Sequence, residues 1–168
     1  MNLFSKLSLF IIIGLSSCKD IAKQQPAPDE SFQYRMDEIK LTDLKGQSVN
    51  MDQYKGKVLF VNFWATWCKP CLQEMPSIQK AIKTLGNESI NYLFASDEDA
   101  AQIEAFKNGH DYTFNYVRVE NLSVLNIMAL PTTFIFNKDG KLVFSESGYK
   151  QWNNKGDMDF ISGLIKIK

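Results

Sequence analysis

The sequence predicts one α/β domain with a mixed sheet and helices on both faces of that sheet. Three observations support this class. A nearly unbroken apolar run over 58–64 has the length of a strand that is buried on both faces. From Lys69 onward, apolar residues recur every three or four positions, which is typical of a helix. Two strand-like runs flank an Asn-Lys-Asp-Gly turn at 137–140, which predicts an antiparallel hairpin.

The other elements are predicted from apolar runs and from the turn residues that bound them. Short strands around a Lys-Gly-Gln-Ser turn at 45–48 precede the long strand, and the first helix ends at Gly86. Asp157 is predicted to cap the last helix. Further strands are expected at 90–95, 116–119, 132–136 and 141–144, and further helices at 99–107 and 122–127.

Composition excludes several classes of protein. The chain has 168 residues, 45% of them hydrophobic, which is enough for one domain with its own core. Its 19 Lys and Arg residues balance 19 Asp and Glu residues, so the net charge gives no electrostatic footprint for nucleic acid. Three cysteines are too few for a disulfide scaffold. The one histidine, His110, is interpreted as a solvated residue after a helix end, and we predict no metal and no cofactor.

The N-terminal residues are predicted to be a targeting signal. Lys6 is followed by an uncharged run over 7–15, which is typical of a secretory signal peptide. Nine residues rise about 14 Å as a helix, about half of a hydrocarbon core, so this run is too short to span a membrane. Leu-Ser-Ser-Cys at 15–18 resembles a bacterial lipobox, which implies cleavage after residue 17 and lipidation of Cys18. The alternative is a plain signal peptide with an incidental cysteine.

Three segments follow from this interpretation. Residues 1–17 form the signal peptide, residues 18–31 the lipidated cysteine and a flexible polar tether, and residues 32–168 the folded domain. The acyl anchor would hold the domain on the periplasmic side of a membrane in a bacterial cell envelope. With Cys18 blocked, two thiols remain in an oxidising compartment.

These two thiols lie in Cys68-Lys69-Pro70-Cys71, between the predicted strand and the predicted helix. A helix N-terminus and the charge of Lys69 both stabilise a thiolate. Pro70 suits the first helical turn, where its missing N–H leaves no bond unmade. We predict that Cys68 is the nucleophile and that Cys71 is buried and resolves the mixed disulfide. The alternatives are a zinc site, for which ligands are lacking, and a structural disulfide, which usually closes a longer loop.

The stretch Val-Asn-Phe-Trp-Ala-Thr-Trp-Cys-Lys-Pro-Cys over 61–71 closely resembles the thioredoxin superfamily. Together with Glu74 and the lipobox, it is similar to the TlpA/ResA-like thiol-disulfide oxidoreductases of bacterial envelopes. The resemblance runs from about residue 32 to the C-terminus. It implies a thioredoxin fold with extra N-terminal strands and a central insertion. It also implies exchange with protein disulfides, commonly in cytochrome c maturation or envelope thiol reduction.

The resemblance also implies roles for residues outside the cysteine pair. Pro131 matches the family's cis-proline beside the cysteines, and the backbone of Leu130 would pair with an extended substrate segment. The alternative for Pro131 is a trans residue that marks a strand edge. Trp67 is expected to shield the disulfide. Glu74 matches a CxxCxxE pattern that implies proton handling and partner choice, and its alternative is an exposed position on the helix. Asn62 stands where many thioredoxins carry a buried acid, and an amide cannot replace that acid as proton acceptor.

The predicted function is reduction of protein disulfides, with a membrane electron donor that keeps the cysteines reduced. No histidine lies between the cysteines to favour a strongly oxidising pair. Two alternatives stay open. A tethered peptide-binding module with a vestigial redox centre would use the groove near Pro131. A thiol peroxidase would use Thr66, two residues before Cys68, but the proline expected before that threonine is absent and Cys71 is too close.

Overall fold

The computed structural model of the protein describes residues 34–86 and 88–167. The signal peptide at 1–17, the lipidation of Cys18 and the tether at 18–31 lie outside the described residues. Within them, the α-helices are α1 (Lys69–Leu85), α2 (Ala100–Asn108) and α3 (Lys155–Lys166). The strands are β1 (Leu41–Thr42), β2 (Val58–Phe63), β3 (Ile90–Ser96), β4 (Asn115–Val119), β5 (Thr132–Phe136) and β6 (Leu142–Ser147). Short 3-10 helices cover Met36–Glu38, Met51–Tyr54 and Leu122–Val124.

The strands form one mixed sheet in the order β1-β4-β3-β2-β5-β6. The pairs β2–β3 and β3–β4 are parallel, and the pairs β1–β4, β2–β5 and β5–β6 are antiparallel. This arrangement confirms the predicted mixed sheet and the C-terminal hairpin. All six residues of β2 are buried, as expected for a central strand that is covered on both faces. The turn that carries the cysteines follows β2 directly, so it lies at the carboxyl end of this central strand.

Alternate residues of the strands enter two separate cores. On one face, Phe60, Phe94 and Ile135 pack beneath residues from all three α-helices. On the other face, Val61 and Phe134 pack beneath the segment 36–54 and the 3-10 helix that precedes Leu125. In the described part of the chain, the α-helices thus cover one face, and the helices predicted for the second face are only short 3-10 turns.

Two helix boundaries differ from the prediction. The last helix is capped by Asn154, whose Oδ1 accepts a hydrogen bond from the Asp157 backbone N–H at 3.1 Å. Asp157 lies inside the first turn, so its predicted role as the cap is wrong. The helix predicted at 122–127 is a single 3-10 turn over Leu122–Val124, and Asn126 then takes a positive φ of 48°. That left-handed residue prevents a longer helix, because a right-handed helix needs negative φ.

Among residues 34–86 and 88–167, none of the helices is both long enough and apolar enough to cross a bilayer.

Candidate active site at the start of helix α1

The chain makes a tight turn between β2 and α1, and this turn places Cys68 at the helix N-terminus. Trp64 N–H still donates to Ala95 O of β3 at 3.0 Å, and Cys68 N–H donates to Ala65 O at 3.1 Å. Cys68 is the N-cap of α1, and its Sγ accepts a hydrogen bond from the Cys71 N–H at 3.3 Å. A sulfur in this position faces the positive end of the helix dipole, which favours a thiolate once the cysteines are reduced.

Cys68 and Cys71 are joined by a disulfide bond, with their Cα atoms 5.3 Å apart. Cys68 keeps 3% of its surface exposed, whereas Cys71 is 0% exposed. Lys69 and Pro70, between them, are both exposed. An incoming sulfur can therefore approach only from the Cys68 side. The order of exposure agrees with the roles that the sequence predicted for the two cysteines, and those roles stay predictions.

Two tryptophans flank the turn in different environments. Trp67 has 73% of its surface exposed next to Cys68, so most of its indole faces solvent. Trp64 is 1% exposed and packs against Phe106 and Tyr116, with ring centroids 4.7 and 5.5 Å away. Trp64 is thus a core residue, as predicted, whereas the indole of Trp67 is accessible at the surface beside the cysteine turn.

The peptide bond between Leu130 and Pro131 is cis, the geometry expected from the resemblance. Thr132, which opens β5, pairs with Phe63 at the end of β2. Pro131 therefore lies at the same edge of the sheet as the cysteine turn. Pro131 is buried and its carbonyl accepts a hydrogen bond from the Gly148 N–H at 2.7 Å, whereas Leu130 is partly exposed.

Glu74 is completely buried on α1, which rules out the alternative of an exposed helix residue. Its Oε1 accepts a hydrogen bond from Asn62 Nδ2 at 2.7 Å, and its Oε2 accepts one from the Lys150 backbone N–H at 3.2 Å. Burial raises the pKa of Glu74 to about 7, although these hydrogen bonds act in the opposite direction. Glu74 lies three residues after Cys71 on the same helix, so a group that titrates near neutral pH stands next to the buried cysteine.

The segment 148–152 closes over α1 and completes the surroundings of Glu74. Ser77 Oγ accepts a hydrogen bond from the Trp152 N–H at 3.0 Å and donates to Glu74 O at 2.8 Å. The Lys150 ammonium lies 3.0 Å from Glu146 and 3.3 Å from Asp157. The same ammonium stands over the rings of Phe144 and Trp152, 5.4 and 5.6 Å from their centroids. These contacts hold the Lys150 amide in place against Glu74.

A second carboxylate supports the turn itself. Glu98 follows β3, and its two oxygens accept hydrogen bonds from the Thr66 N–H at 2.7 Å and from Thr66 Oγ1 at 2.6 Å. Ser96 Oγ also donates to Glu98, at 3.0 Å. Thr66 stands two residues before Cys68, so Glu98 fixes the backbone that leads into the cysteine pair.

Sequence reasoning missed Glu98, Lys150 and the contact between Asn62 and Glu74. The burial of Glu74 did have a signal, because it lies between Cys71 and Met75 on the helical face that is buried. The other contacts join residues 32 and 76 positions apart, as in Thr66–Glu98 and Glu74–Lys150. No local pattern in the sequence marks such pairs.

His110 lies after α2, as predicted. Its side chain is exposed, its Nδ1 is 2.8 Å from Phe106 O, and its ring stacks on that of Phe106 at a centroid distance of 3.9 Å. Among the described residues, no cluster of three or more His, Cys, Asp or Glu side chains is placed to hold a metal ion.

Comparison with known proteins decides the family. The model of the AhpC/TSA family matches residues 26–145. The chain belongs to the AhpC/TSA family. Among proteins of this thioredoxin-like kind, the chain is similar to thioredoxin-like protein YneN of Bacillus subtilis. The two are 32% identical over 149 residues, which cover 83% of this chain and 81% of YneN.

A further relative carries an activity in its name, and a solved structure matches the fold. Thiol-disulfide oxidoreductase ResA of Geobacillus kaustophilus is 36% identical over 106 residues, which cover 61% of this chain and 61% of that protein. A crystal structure of a thiol:disulfide interchange protein of the thioredoxin family from Chlorobium tepidum matches with a TM-score of 0.61. Its identity is 20%, and the match covers 86% of this chain and 99% of that one. The thioredoxin-type fold and the resemblance to ResA-like proteins are thus confirmed, and the chain is a thiol-disulfide oxidoreductase.

Proposed function

We propose that this oxidoreductase reduces disulfides of other proteins in a bacterial envelope. The observation that carries the proposal is the position of the disulfide, with Cys68 at the N-terminus of α1 and Cys71 fully buried behind it. A pair of this kind can exchange bonds with one partner sulfur at a time, because only one of its sulfurs is accessible.

The reaction follows from the two positions. In the reduced protein, the Cys68 thiolate attacks a substrate disulfide, forms a mixed disulfide and releases one substrate sulfur as a thiolate. Cys71 loses its proton and attacks Cys68 Sγ, so the bond from Cys68 to the substrate breaks and the second substrate sulfur leaves. Two electrons pass to the substrate, and the protein ends with the disulfide that the structure contains. A membrane electron donor then returns the pair to its reduced form.

The substrate is held next to this pair. An extended segment of the substrate protein pairs with the backbone of Leu130, which precedes the cis-proline at the same edge of the sheet. The exposed indole of Trp67 supplies an apolar contact beside Cys68. Cytochrome c maturation is the process that the resemblance to ResA-like proteins favours for this substrate.

Insulin reduction with dithiothreitol as electron source tests the activity. We expect turnover by the wild type and none by Cys68→Ser. A wild type without thiol-dependent turnover would contradict the proposal and favour a peptide-binding module. Cys71→Ser should retain partners as mixed disulfides on Cys68, while Cys68→Ser/Cys71→Ser serves as the control that traps none. Recovery of apocytochrome c from the trap would support cytochrome c maturation, and its absence among trapped proteins would argue against that process.

The direction of exchange is tested by equilibrium with glutathione. Reductants of the thioredoxin type have potentials of about −270 mV, whereas the strongest protein oxidants lie at about −120 mV. We expect a value near the first of these. A potential as high as that of the strong oxidants would overturn the assignment as a reductant.

The membrane anchor is tested separately. In the full chain expressed in a bacterium, we expect Cys18 to incorporate labelled fatty acid and the protein to sediment with membranes. Cys18→Ser should abolish the label and leave insulin reduction by the purified protein unchanged. Unlabelled, unsedimented wild type would contradict the lipoprotein assignment.

The thiol peroxidase alternative is weakened by the position of Thr66. Its hydroxyl donates a hydrogen bond to Glu98 Oε1 at 2.6 Å, so the hydroxyl hydrogen is not available to a peroxide bound at Cys68. Hydrogen peroxide consumption at a rate above that of insulin reduction would restore this alternative.

A further inference from the structure

Asn62 is the buried polar residue at the centre of the Glu74 site. Its side chain is 0% exposed, and Nδ2 donates to Glu74 Oε1 at 2.7 Å and to Thr133 Oγ1 at 3.0 Å. Both Nδ2 hydrogens are therefore used. The Oδ1 atom of the same amide is buried and has no hydrogen-bond partner among the described residues. A buried acceptor without a partner is unfavourable and needs an explanation.

The hydrogen-bond partners of the Glu74 carboxyl group in this arrangement are donors. Oε1 faces the Asn62 amide donor, and Oε2 faces the Lys150 backbone N–H. A carboxylate accepts from both donors, but the O–H of a carboxylic acid would find no acceptor among these two contacts, because both are N–H donors. The backbone amide of Lys150 cannot change from donor to acceptor. The side-chain amide of Asn62 can, because a half-turn about its last bond exchanges Nδ2 and Oδ1.

We propose that Asn62 is a positioning residue for proton transfer at Glu74, and that its side-chain amide turns over when Glu74 gains a proton. In the turned position, Oδ1 accepts the O–H of Glu74. This inference rests on the proposed function, because it assigns the proton of the resolving step to Glu74.

Thr133 makes the turned position possible. Its hydroxyl now accepts from Nδ2, and a hydroxyl can equally donate. After the turn, Oδ1 accepts from Thr133 Oγ1–H as well as from Glu74, so the unpaired acceptor gains two donors. The Nδ2 group takes the place where Oδ1 stood and becomes the unpaired group. Each protonation state of Glu74 thus has one arrangement in which both of its neighbours fit.

The charged groups that face Glu74 come from several elements. The Lys150 ammonium is paired with Glu146 of β6 and with Asp157 of α3, so it offers Glu74 little free charge. Glu146 adds a repulsion that disfavours ionisation, and on α1 itself Cys71 stands one turn before Glu74. Burial raises the pKa of Glu74 to about 7, and both states are therefore populated near neutral pH.

The amide would act in the resolving step. Cys71 S–H passes its proton to the Glu74 carboxylate, and the Cys71 thiolate attacks Cys68 Sγ. The bond between Cys68 and the substrate sulfur breaks, the electron pair leaves with that sulfur, and the substrate thiolate takes a proton from solvent. Glu74 later releases its own proton to solvent. Between these events the turned amide of Asn62 holds the proton on Glu74 Oε1.

Nuclear magnetic resonance on the oxidised, full-length protein tests the inference, with Glu74→Gln as the control. Between pH 5 and pH 9, the Glu74 carboxyl carbon and the Asn62 side-chain amide are followed together. We expect the Asn62 Nδ2 signals to change with the same midpoint as the Glu74 carbon, and Glu74→Gln to abolish that change. Amide signals that stay constant while Glu74 titrates would overturn the proposal, as would a Glu74 that does not titrate in this range.

A kinetic test connects the amide to the reaction. Asn62→Leu removes both the donor that the amide offers to the carboxylate and the acceptor that the turned amide offers to the acid. We therefore expect resolution of a preformed mixed disulfide to slow by about tenfold or more across pH 5 to pH 9. In Glu74→Gln, the same Asn62→Leu change should leave the rate of resolution unaltered. A wild-type rate in Asn62→Leu would contradict the inference, as would a raised pH midpoint with an unchanged maximal rate, which a fixed donor would give. The resonance test uses the oxidised protein and needs no thiol exchange. A negative result in that test therefore contradicts the role of Asn62 alone, whereas failure of insulin reduction contradicts the proposed function.

Discussion

The Glu98 carboxylate accepts hydrogen bonds from both the backbone and the side chain of Thr66, with distances of 2.7 Å to the amide nitrogen and 2.6 Å to Oγ1. Glu98 itself is held, because Ser96 Oγ donates to its carboxylate and Arg118 Nε donates to its carbonyl at 3.0 Å. The carboxyl end of β3 therefore determines the path of the turn that leads into Cys68. The thioredoxin-like pattern in the sequence does not show this connection.

Removal of the Glu98 carboxylate should destabilise the protein and slow exchange. Hydrogen bonds to a charged group contribute about 1.5–3 kcal/mol, and Glu98→Ala removes two of them from the same turn. We expect the free energy of unfolding of the oxidised protein to fall by about 2 kcal/mol or more in urea titrations. The rate of insulin reduction should fall as well, because the turn no longer fixes Cys68.

Two control variants make this prediction specific. Glu98→Gln keeps an oxygen that can accept from the Thr66 amide, so it should lose less stability than Glu98→Ala. Glu104→Ala removes an exposed acid from α2 and should change neither quantity measurably. Equal effects of the substitutions at 98 and 104 would show that the Thr66 contact is unimportant.

The stability of the folded protein should depend on the protonation of Glu74. The ordinary pKa of this group is 4.5, and burial raises it to about 7 in the folded state. Between these values the unfolded chain has released the proton and the folded chain has kept it, so the free energy of unfolding falls as the pH rises. The total loss is about 3 kcal/mol by the linkage of 1.36 kcal/mol per pKa unit.

Glu74→Gln has no such proton and serves as the comparison. Urea titrations of both oxidised proteins from pH 4 to pH 8 should show the wild type losing stability relative to the variant, mostly between pH 4.5 and pH 7. A difference between the two proteins that stays constant over this range would contradict the buried, protonated Glu74.

Two lysine–aspartate pairs at the start of α3 should differ in their contribution to stability. Lys150 and Asp157 have side chains that are 18% and 7% exposed, whereas Lys155 and Asp159 are 89% and 65% exposed. Loss of one partner leaves a buried charge uncompensated only in the first pair. We expect Lys150→Met to lower the free energy of unfolding by about 2 kcal/mol, measured by urea titration. Lys155→Met is the matched control and should change it little, and a loss as large as that of Lys150→Met would argue against burial as the cause.

Local patterns predicted the parts of the fold that depend on neighbours in the sequence. The apolar run that forms β2, the helical repeat of α1 and the turn at 137–140 each predicted an element that the structure contains. The cap of α3 shows the limit of such patterns, because Asn154 and Asp157 are both favourable capping residues three positions apart. In the folded protein Asp157 instead pairs with Lys150, a contact between residues that only tertiary packing brings together.

The site was predictable to a similar degree. The Cys68–Cys71 pair and the cis geometry before Pro131 followed from motifs within a few residues of each other or from a family resemblance. The surroundings of Glu74 did not, because β2, α1 and the segment around Lys150 meet there only after the sheet has formed. In the sequence, Asn62 stands where many thioredoxins carry a buried acid, which suggested that this chain lacks one. The structure shows that the Asn62 amide donates a hydrogen bond to Glu74, a buried acid on α1.

The rate of alkylation of Cys68 in the reduced protein, measured with iodoacetamide as a function of pH, tests whether the N-terminus of α1 activates this sulfur. We expect a midpoint below about 8.5, the ordinary pKa of a free cysteine, because Cys68 Sγ accepts a hydrogen bond from the Cys71 N–H at the start of α1. Cys71→Ser keeps that geometry and isolates the single thiol in the folded domain. A midpoint at or above that of free cysteine, with no faster reaction at neutral pH, would show that the helix N-terminus does not activate Cys68.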